Sequence, residues 1–293
     1  MQLKKITIDD KELFLKMQPN ENAHTQYMSF TNLFLWKDSE NIEYFCYDDF
    51  PIVTGVDFED KRYFMIPEKL FLTEDIISYI KTNFNDAHRI VALTSQQVDN
   101  INASIMNNYN IFHDRNMDNY IYLSEKLSTL SGKKLHSKRN HINNFKKMYD
   151  YEFCMLKDEN INEVKDFLEE WYKKKIPDDE TLLYEKTAVF NGLKFRKELE
   201  MKGAYIKVDG KVIAFTMGDK MTSDMAVIHF EKADTDYNGA YAVINMEFVK
   251  NCWQNVKYIN REDDMGIEGL RKSKLSYYPY TLKECYTLML EEE

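Results

Sequence analysis

The sequence predicts an α+β fold made of two successive units, each a mixed, mostly antiparallel sheet flanked by helices. Three observations predict it. The chain has 293 residues, which exceeds the usual span of one compact domain. Hydrophobic residues make up 44% and aromatic residues 14%, enough to bury two cores. One order of elements (helices, a meander of short strands, then alternating helix and strand) occurs on both sides of a basic segment at residues 126–150.

In the first half, Asp9 and Asp10 cap a helix running to about Met17, and Tyr27–Trp36 reads as a second helix. "IEYFCY", "PIVTGV" and "RYFMIP" are short apolar runs divided by acidic turns, as in an antiparallel meander. Glu74–Asn83 then reads as a helix, "RIVALT" as a strand, Ser95–Met106 as a helix, and "NIFHD" and "NYIYL" as strands. In the second half, "YEFCML" is a strand. Asn160–Lys174 is an amphipathic helix with Val164, Phe167, Leu168 and Trp171 on one face, and another helix reaches Glu200. Three strands follow within Gly203–Ala233, the first two joined at Asp209-Gly210, a strong hairpin signal. Ala240–Cys252 is a helix, "VKYIN" a strand and "YTLML" a closing strand. This order is the layout of a GNAT-type N-acetyltransferase unit, present twice. The expected division is 1–125 for the first unit, 126–150 for a basic connecting helix, and 151–293 for the second unit with the active cleft.

Composition narrows the function. A formal charge of −10 and a pI near 5.3 argue against a generic grip on nucleic acid or an anionic membrane. Cys46, Cys154, Cys252 and Cys285 form no C-x-x-C pair and read as buried thiols in a reducing compartment. His136 and His141 fall on different helix faces, so no metal site is expected. The N-terminus has no apolar signal region and no stretch approaches a membrane span, so a cytoplasmic location is expected.

Two stretches carry candidate chemistry. "LSGKKLHSKRNHINNFKK" has six basic residues and no acidic one. Leu135, Ile142 and Phe145 form its apolar face, while Lys138, Arg139 and Asn140 offer donors of three geometries for phosphate or carboxylate. The bland alternative is a solvated helix. "NREDDMGIEGLRKSKLSYYP" combines charge with two glycines, a poor composition for a solvated helix because each glycine costs about 1 kcal/mol in a helix interior. Here Gly266 is expected to start a helix with free N–H groups and Gly269 to allow tight packing. Arg261 and Arg271 suit an anion or, equally, an ion-pair network with Asp263, Asp264 or Glu268. Lys274 follows Arg271 by one helical turn. Glu231, near the end of a strand, could take a proton from an attacking amine or hydroxyl, or be a plain surface charge.

Together, "GKKLHSKRNHINNF" and "YINREDDMGIEGLRKSKLSYYP" resemble the paired signatures of proteins related to the C-terminal domain of phosphatidylglycerol lysyltransferase, over nearly the whole chain. The resemblance implies a tandem GNAT-like fold, similar also to Fem-type transferases that use aminoacyl-tRNA, with a degenerate first unit and a working cleft in the second. It implies transfer of an acyl or aminoacyl group from an activated carrier, aminoacyl-tRNA or acyl-CoA, to an amine or hydroxyl. The expected roles are catalytic for Glu231 and Lys138, and substrate or carrier binding for Arg139, Asn140, Asn260, Arg261, Asp264, Gly266, Gly269, Arg271 and Lys274. The chain departs from the named enzyme in lacking a membrane-spanning portion. It departs from ordinary acetyltransferases in the stretch "HFEKADTDYNGAYAVINMEF", which is acidic and has only Gly239 where a glycine-rich turn would hold the coenzyme A pyrophosphate. No cofactor is firmly implied. The alternative is a non-catalytic scaffold binding tRNA, a nucleotide or a protein partner. Whether the basic helix and Arg261 meet at one place separates the two.

Overall fold

The computed structural model describes residues 1–18 and 25–290. Its strands are β1 (Lys4–Lys5), β2 (Glu43–Tyr47), β3 (Phe50–Val56), β4 (Arg62–Met65), β5 (Ala87–Thr94), β6 (Ile111–His113) and β7 (Asn119–Leu123). They continue as β8 (Tyr151–Met155), β9 (Lys202–Val208), β10 (Lys211–Lys220), β11 (Met225–Ala233), β12 (Tyr258–Asn260), β13 (Thr281–Lys283) and β14 (Cys285–Met289). They form two seven-stranded sheets, ordered β1-β2-β3-β4-β5-β14-β6 and β8-β9-β10-β11-β12-β7-β13. The same plan is executed twice. Each sheet is an antiparallel meander followed by one parallel pair, β4 with β5 and β11 with β12, and then a strand antiparallel to that pair. The architecture is the tandem GNAT-like one.

The two compact units are not contiguous in sequence. One comprises Met1–Asn119, Asp263–Gly266 and Leu282–Glu293; the other comprises Tyr120–Glu262 and Ile267–Thr281. The strand "YTLML", expected to close the second unit, is β14 and lies in the first sheet between β5 and β6. The place equivalent to β14 in the second sheet is taken by β7, which precedes the basic segment.

In the first unit, Ser29 accepts from the Asn32 N–H and so starts the helix Phe30–Trp36, and Thr73 does the same for Glu74–Asn83. Phe45, Ile52, Phe64, Ile80, Ile90 and Leu288 are buried together beneath the sheet. The helix expected over Ser95–Met106 is two short ones, Ser95–Asp99 and Ala103–Asn108, because the Asn102 side chain caps the second at the Ile105 N–H. Gln97 closes the loop after β4: its Nε2 donates to the Pro67 and Leu70 carbonyls, both at 3.0 Å.

In the second unit, Asp209 and Gly210 both take positive φ, 50° and 77°, which is what a type I′ turn requires between β9 and β10. The helix Ala240–Cys252 is buried on nearly every side and begins at Gly239, where φ is 100° and a Cβ would lie 2.9 Å from the His141 carbonyl. Leu135, Ile142 and Phe145 of the basic segment are buried as its apolar face requires; Ile142 and Phe145 lie on the helix His136–Met148 and Leu135 directly precedes it. The cysteines correct one expectation: Cys252 and Cys285 are buried, but Cys46 is exposed and Cys154 only half-buried. Among the described residues, no helix is long and apolar enough to cross a membrane.

Candidate functional site

The pairing of β11 with β12 determines where the site forms. It ends at Val227 with Asn260, after which β11 runs on to Ala233 while the chain leaves β12. Glu231 stands on that continuation, which no longer pairs with β12. Its cross-strand neighbour on β10 is Thr216. Arg261, the first residue after β12, turns toward it: Nη2 and Nε donate to Glu231 Oε2 at 2.8 and 3.1 Å. Asn245, from the helix Ala240–Cys252, donates to the same oxygen at 3.1 Å.

Both charged side chains are about nine-tenths buried. The Arg261 guanidinium stacks over Tyr277 at 4.9 Å and Tyr122 at 5.8 Å. Lys138 reaches the Tyr277 ring as well, its ammonium 4.1 Å from the centroid. Burial, and then repulsion from Arg261, lower the pKa of Lys138. The Tyr277 hydroxyl is pushed up to about 12 by burial, against the pull of Arg261. Glu231 cancels one of the two positive charges, so this cluster carries a net +1.

Several polar atoms here lack a partner. Among the described residues, Glu231 Oε1, Asn245 Oδ1, Thr216 Oγ1 and Arg261 Nη1 are buried and make no hydrogen bond. Buried polar groups are nearly always paired, so four unpaired atoms on neighbouring residues set this cluster apart. Two atoms of this set are acceptors only, one is a donor only, and the threonine hydroxyl is either. Such a set is complementary to a group that brings both N–H or O–H and a carbonyl oxygen.

A brace lies beside the cluster. His229 is fully buried on β11, with Nε2 2.8 Å from Asp219 and Nδ1 2.8 Å from Glu262. Burial opposes its charge, but the hydrogen bonds to the two carboxylates carry its pKa to about 10, so it is an imidazolium at neutral pH. Glu262 adjoins Arg261 and takes a positive φ of 57°. On its other side, Lys274 Nζ donates to the Arg261 carbonyl at 2.5 Å. The β10 bulge at Met217/Gly218 adjoins Asp219, and Gly218 makes it possible: a Cβ there would lie 2.1 Å from the Val227 carbonyl oxygen.

The expected residues therefore separate. Glu231, Lys138 and Arg261 meet in one cluster, and Lys274 supports it through the backbone. Asn260 is buried and accepts from the Glu262 N–H at 2.7 Å, shaping the turn that delivers Arg261. Arg139 instead clasps the Leu130 and Gly132 carbonyls, and Asn140 is an exposed neighbour of His136 on the helix surface. Asp264 belongs to the first unit, where it accepts from Arg115 at 3.3 Å and from the Gly266 N–H at 3.0 Å. Gly266 does not begin a helix. It occupies a turn at φ 74°, its N–H is taken, and the helix Glu268–Leu275 starts after Ile267. Gly269 lies inside that helix with nothing within 4 Å of where a Cβ would be, so close packing is not its purpose. Arg271 is half-exposed on the same helix. Sequence reasoning missed Thr216, Asn245 and His229. Asn245 left a signal, as a lone amide in the apolar run "AYAVINMEFV".

Residues 20–289 match the family profile described as phosphatidylglycerol lysyltransferase, C-terminal. A conserved protein of unknown function from Bacteroides thetaiotaomicron has a similar structure, with TM-score 0.89, 32% identity and coverage of 99% of this chain and 100% of that one. The structure of L-PGS from Bacillus licheniformis is similar at TM-score 0.62 and 14% identity, over 98% and 92% of the two chains. An uncharacterized protein of Mycoplasmoides gallisepticum is 28% identical over 164 residues, and the match spans 55% of this chain but only 52% of that relative.

Proposed function

Since the chain belongs to the family of phosphatidylglycerol lysyltransferase C-terminal domains, we propose that it is a transferase moving an acyl or aminoacyl group from an activated carrier to an amine or hydroxyl acceptor. One observation carries this reading: Lys138 of the basic helix and Arg261 lie against the same tyrosine ring, beside a buried carboxylate with a free oxygen. A merely solvated basic helix has no reason to send a lysine into that place.

Each group then has a chemical task. Glu231 Oε1 accepts the proton of the attacking group. Arg261 Nη1 and the Lys138 ammonium donate to the carbonyl oxygen as it gains negative charge. Arg261 comes pre-oriented by Glu231 Oε2 and two aromatic faces, so little reorganisation is needed during the reaction. The exposed lysines of the basic helix, with Lys272, face the solvent from which the phosphates of the carrier would approach. No side chain needs to become a covalent nucleophile.

The carrier favoured is aminoacyl-tRNA rather than acyl-CoA. Gly239, where an acetyltransferase binds pyrophosphate, is packed on the His141 carbonyl, and Asp234 and Asp236 precede it. The test is donor discharge: incubate the protein with labelled aminoacyl-tRNA or with acetyl-CoA and measure loss of the activated ester or thioester. Accelerated discharge of aminoacyl-tRNA, weakened in Lys138→Ala, supports the reading. Discharge of neither donor defeats it.

A further inference from the structure

We propose that the turn Tyr277–Tyr280 is a stacking surface for the unpaired nucleotides at the end of an RNA. The inference rests on the transferase reading above for the identity of that RNA, the carrier; the surface itself rests on accessible rings and the cations beside them. Its three tyrosines become more exposed along the chain: Tyr277 is 5% exposed, Tyr278 52% and Tyr280 59%. A cation accompanies each. The Lys138 ammonium lies 4.1 Å from the Tyr277 centroid, and that of Lys134, one helical turn earlier, lies 5.4 Å from the Tyr278 centroid. Tyr280 packs on Tyr258 at 5.6 Å, and Lys257 Nζ is 4.8 Å from the Tyr258 ring. Lys134 and Lys257 are both exposed. Residues 267–281 hold one acidic side chain, Glu268, against Arg271, Lys272 and Lys274.

Packing does not account for Tyr278. Its φ is 53°, a left-handed conformation that bulky residues rarely adopt, just beyond the end of the helix Glu268–Leu275, where the usual left-handed residue is glycine. Half of its surface stays in water, so burial does not offset the strain. The result is an aromatic face held in solvent next to an ammonium. Every base has a π-face and stacks on such a ring whatever the sequence, while lysines between the rings take the phosphates. The net charge of −10 is spread over the whole chain, and beyond about 8 Å it is screened at physiological salt. Aminoacyl-tRNA presents the matching chemistry, because its reactive ester sits at the end of unpaired nucleotides. Stacking on Tyr278 brings that end to the residue next to Tyr277, against which Arg261 and Lys138 lie.

The experiment titrates full-length protein with a labelled, uncharged RNA hairpin carrying four unpaired 3′ nucleotides, and with the same hairpin blunt-ended. The overhang is expected to tighten binding at least ~10-fold. Tyr278→Gly should lose at least ~5-fold of the overhang affinity while the melting temperature holds or rises, because glycine relieves the backbone. Tyr278→Phe should keep the affinity, since stacking needs the ring and not the hydroxyl. Lys134→Ala should reduce the slope of log Kd against log salt by about 0.7, one phosphate's share. Equal affinity for the two hairpins, or wild-type binding by Tyr278→Gly, overturns the inference; discharge of aminoacyl-tRNA by the same protein then leaves the transferase reading standing. Overhang binding through Tyr278 without discharge of either donor keeps the surface and defeats the transferase reading. Tyr278-dependent binding to vesicles of phosphatidylglycerol and phosphatidylcholine, with no preference for the overhang, assigns the patch to a lipid surface and overturns the inference.

Discussion

Arg261 and Glu231 stabilise each other only as a pair, because each is desolvated and each has the other as its charged partner. Removing one leaves the other charged and buried, which costs about 3–5 kcal/mol. Arg261→Met should therefore lower the melting temperature sharply. Glu231→Gln should cost less, since an amide oxygen still receives the guanidinium and both tyrosine faces remain. Both charges were visible in the sequence, and an ion pair was one use open to Arg261; the structure shows that ion pair, with Glu231 as its partner rather than a plain surface charge. What could not be read was the partner. Arg261 was set against Asp263, Asp264 or Glu268, its neighbours in the chain, whereas the pairing depends on β11 lying next to β12. The two glycines of the same stretch make a second test. Gly266→Val forces a β-branched residue into positive φ with Asn116 only 3.1 Å from its Cβ, and should cost at least about 2 kcal/mol. Gly269→Ala meets open space inside a helix and should stabilise by about 0.5–1 kcal/mol. Thermal melts of the two variants are expected to move in opposite directions.

The basic helix shows how far an element can be read from periodicity. Leu135, Ile142 and Phe145 marked its buried face correctly. The adjacent Lys138, Arg139 and Asn140 are about 100° apart around the axis, so they point to three different environments. Only Lys138 joins the site. Arg139→Ala should lower stability by releasing the Leu130 and Gly132 carbonyls, with donor affinity unchanged; Lys138→Ala should do the reverse. The β10–β11 ribbon carries the other test at this scale. His229 has a folded pKa near 10 against about 6.5 when unfolded. A raised pKa means the folded state binds the extra proton more tightly, so the stabilisation is complete below pH 6.5 and is lost as pH rises through 10. Melting temperature should fall across that window in the wild-type protein and fall less in His229→Gln. No spacing rule announces this brace. Asp219, His229 and Glu262 come from β10, β11 and the second residue beyond β12, and converge only once the sheet is formed.

At the level of the molecule, the repeat of element order was legible because each run of strands and helices has its own local pattern. The assignment of strands to sheets was not. "NYIYL" and "YTLML" are both short apolar runs at the end of a unit, and nothing in either says which sheet it completes. Strand exchange puts β7 in the second sheet and β14 in the first. Ending the chain at Tyr280 should therefore strip the first sheet of the strand between β5 and β6, and the first unit should lose its cooperative melting. The central claim concerns the second unit, and one measurement tests it most directly: the single-turnover rate of donor discharge in wild type and in Glu231→Gln, with donor affinity measured alongside. If Glu231 takes the proton of the attacking group, the rate should fall by about 10²–10⁴-fold while donor affinity is unchanged. A Glu231→Gln protein that remains folded and discharges the donor at the wild-type rate would contradict the account.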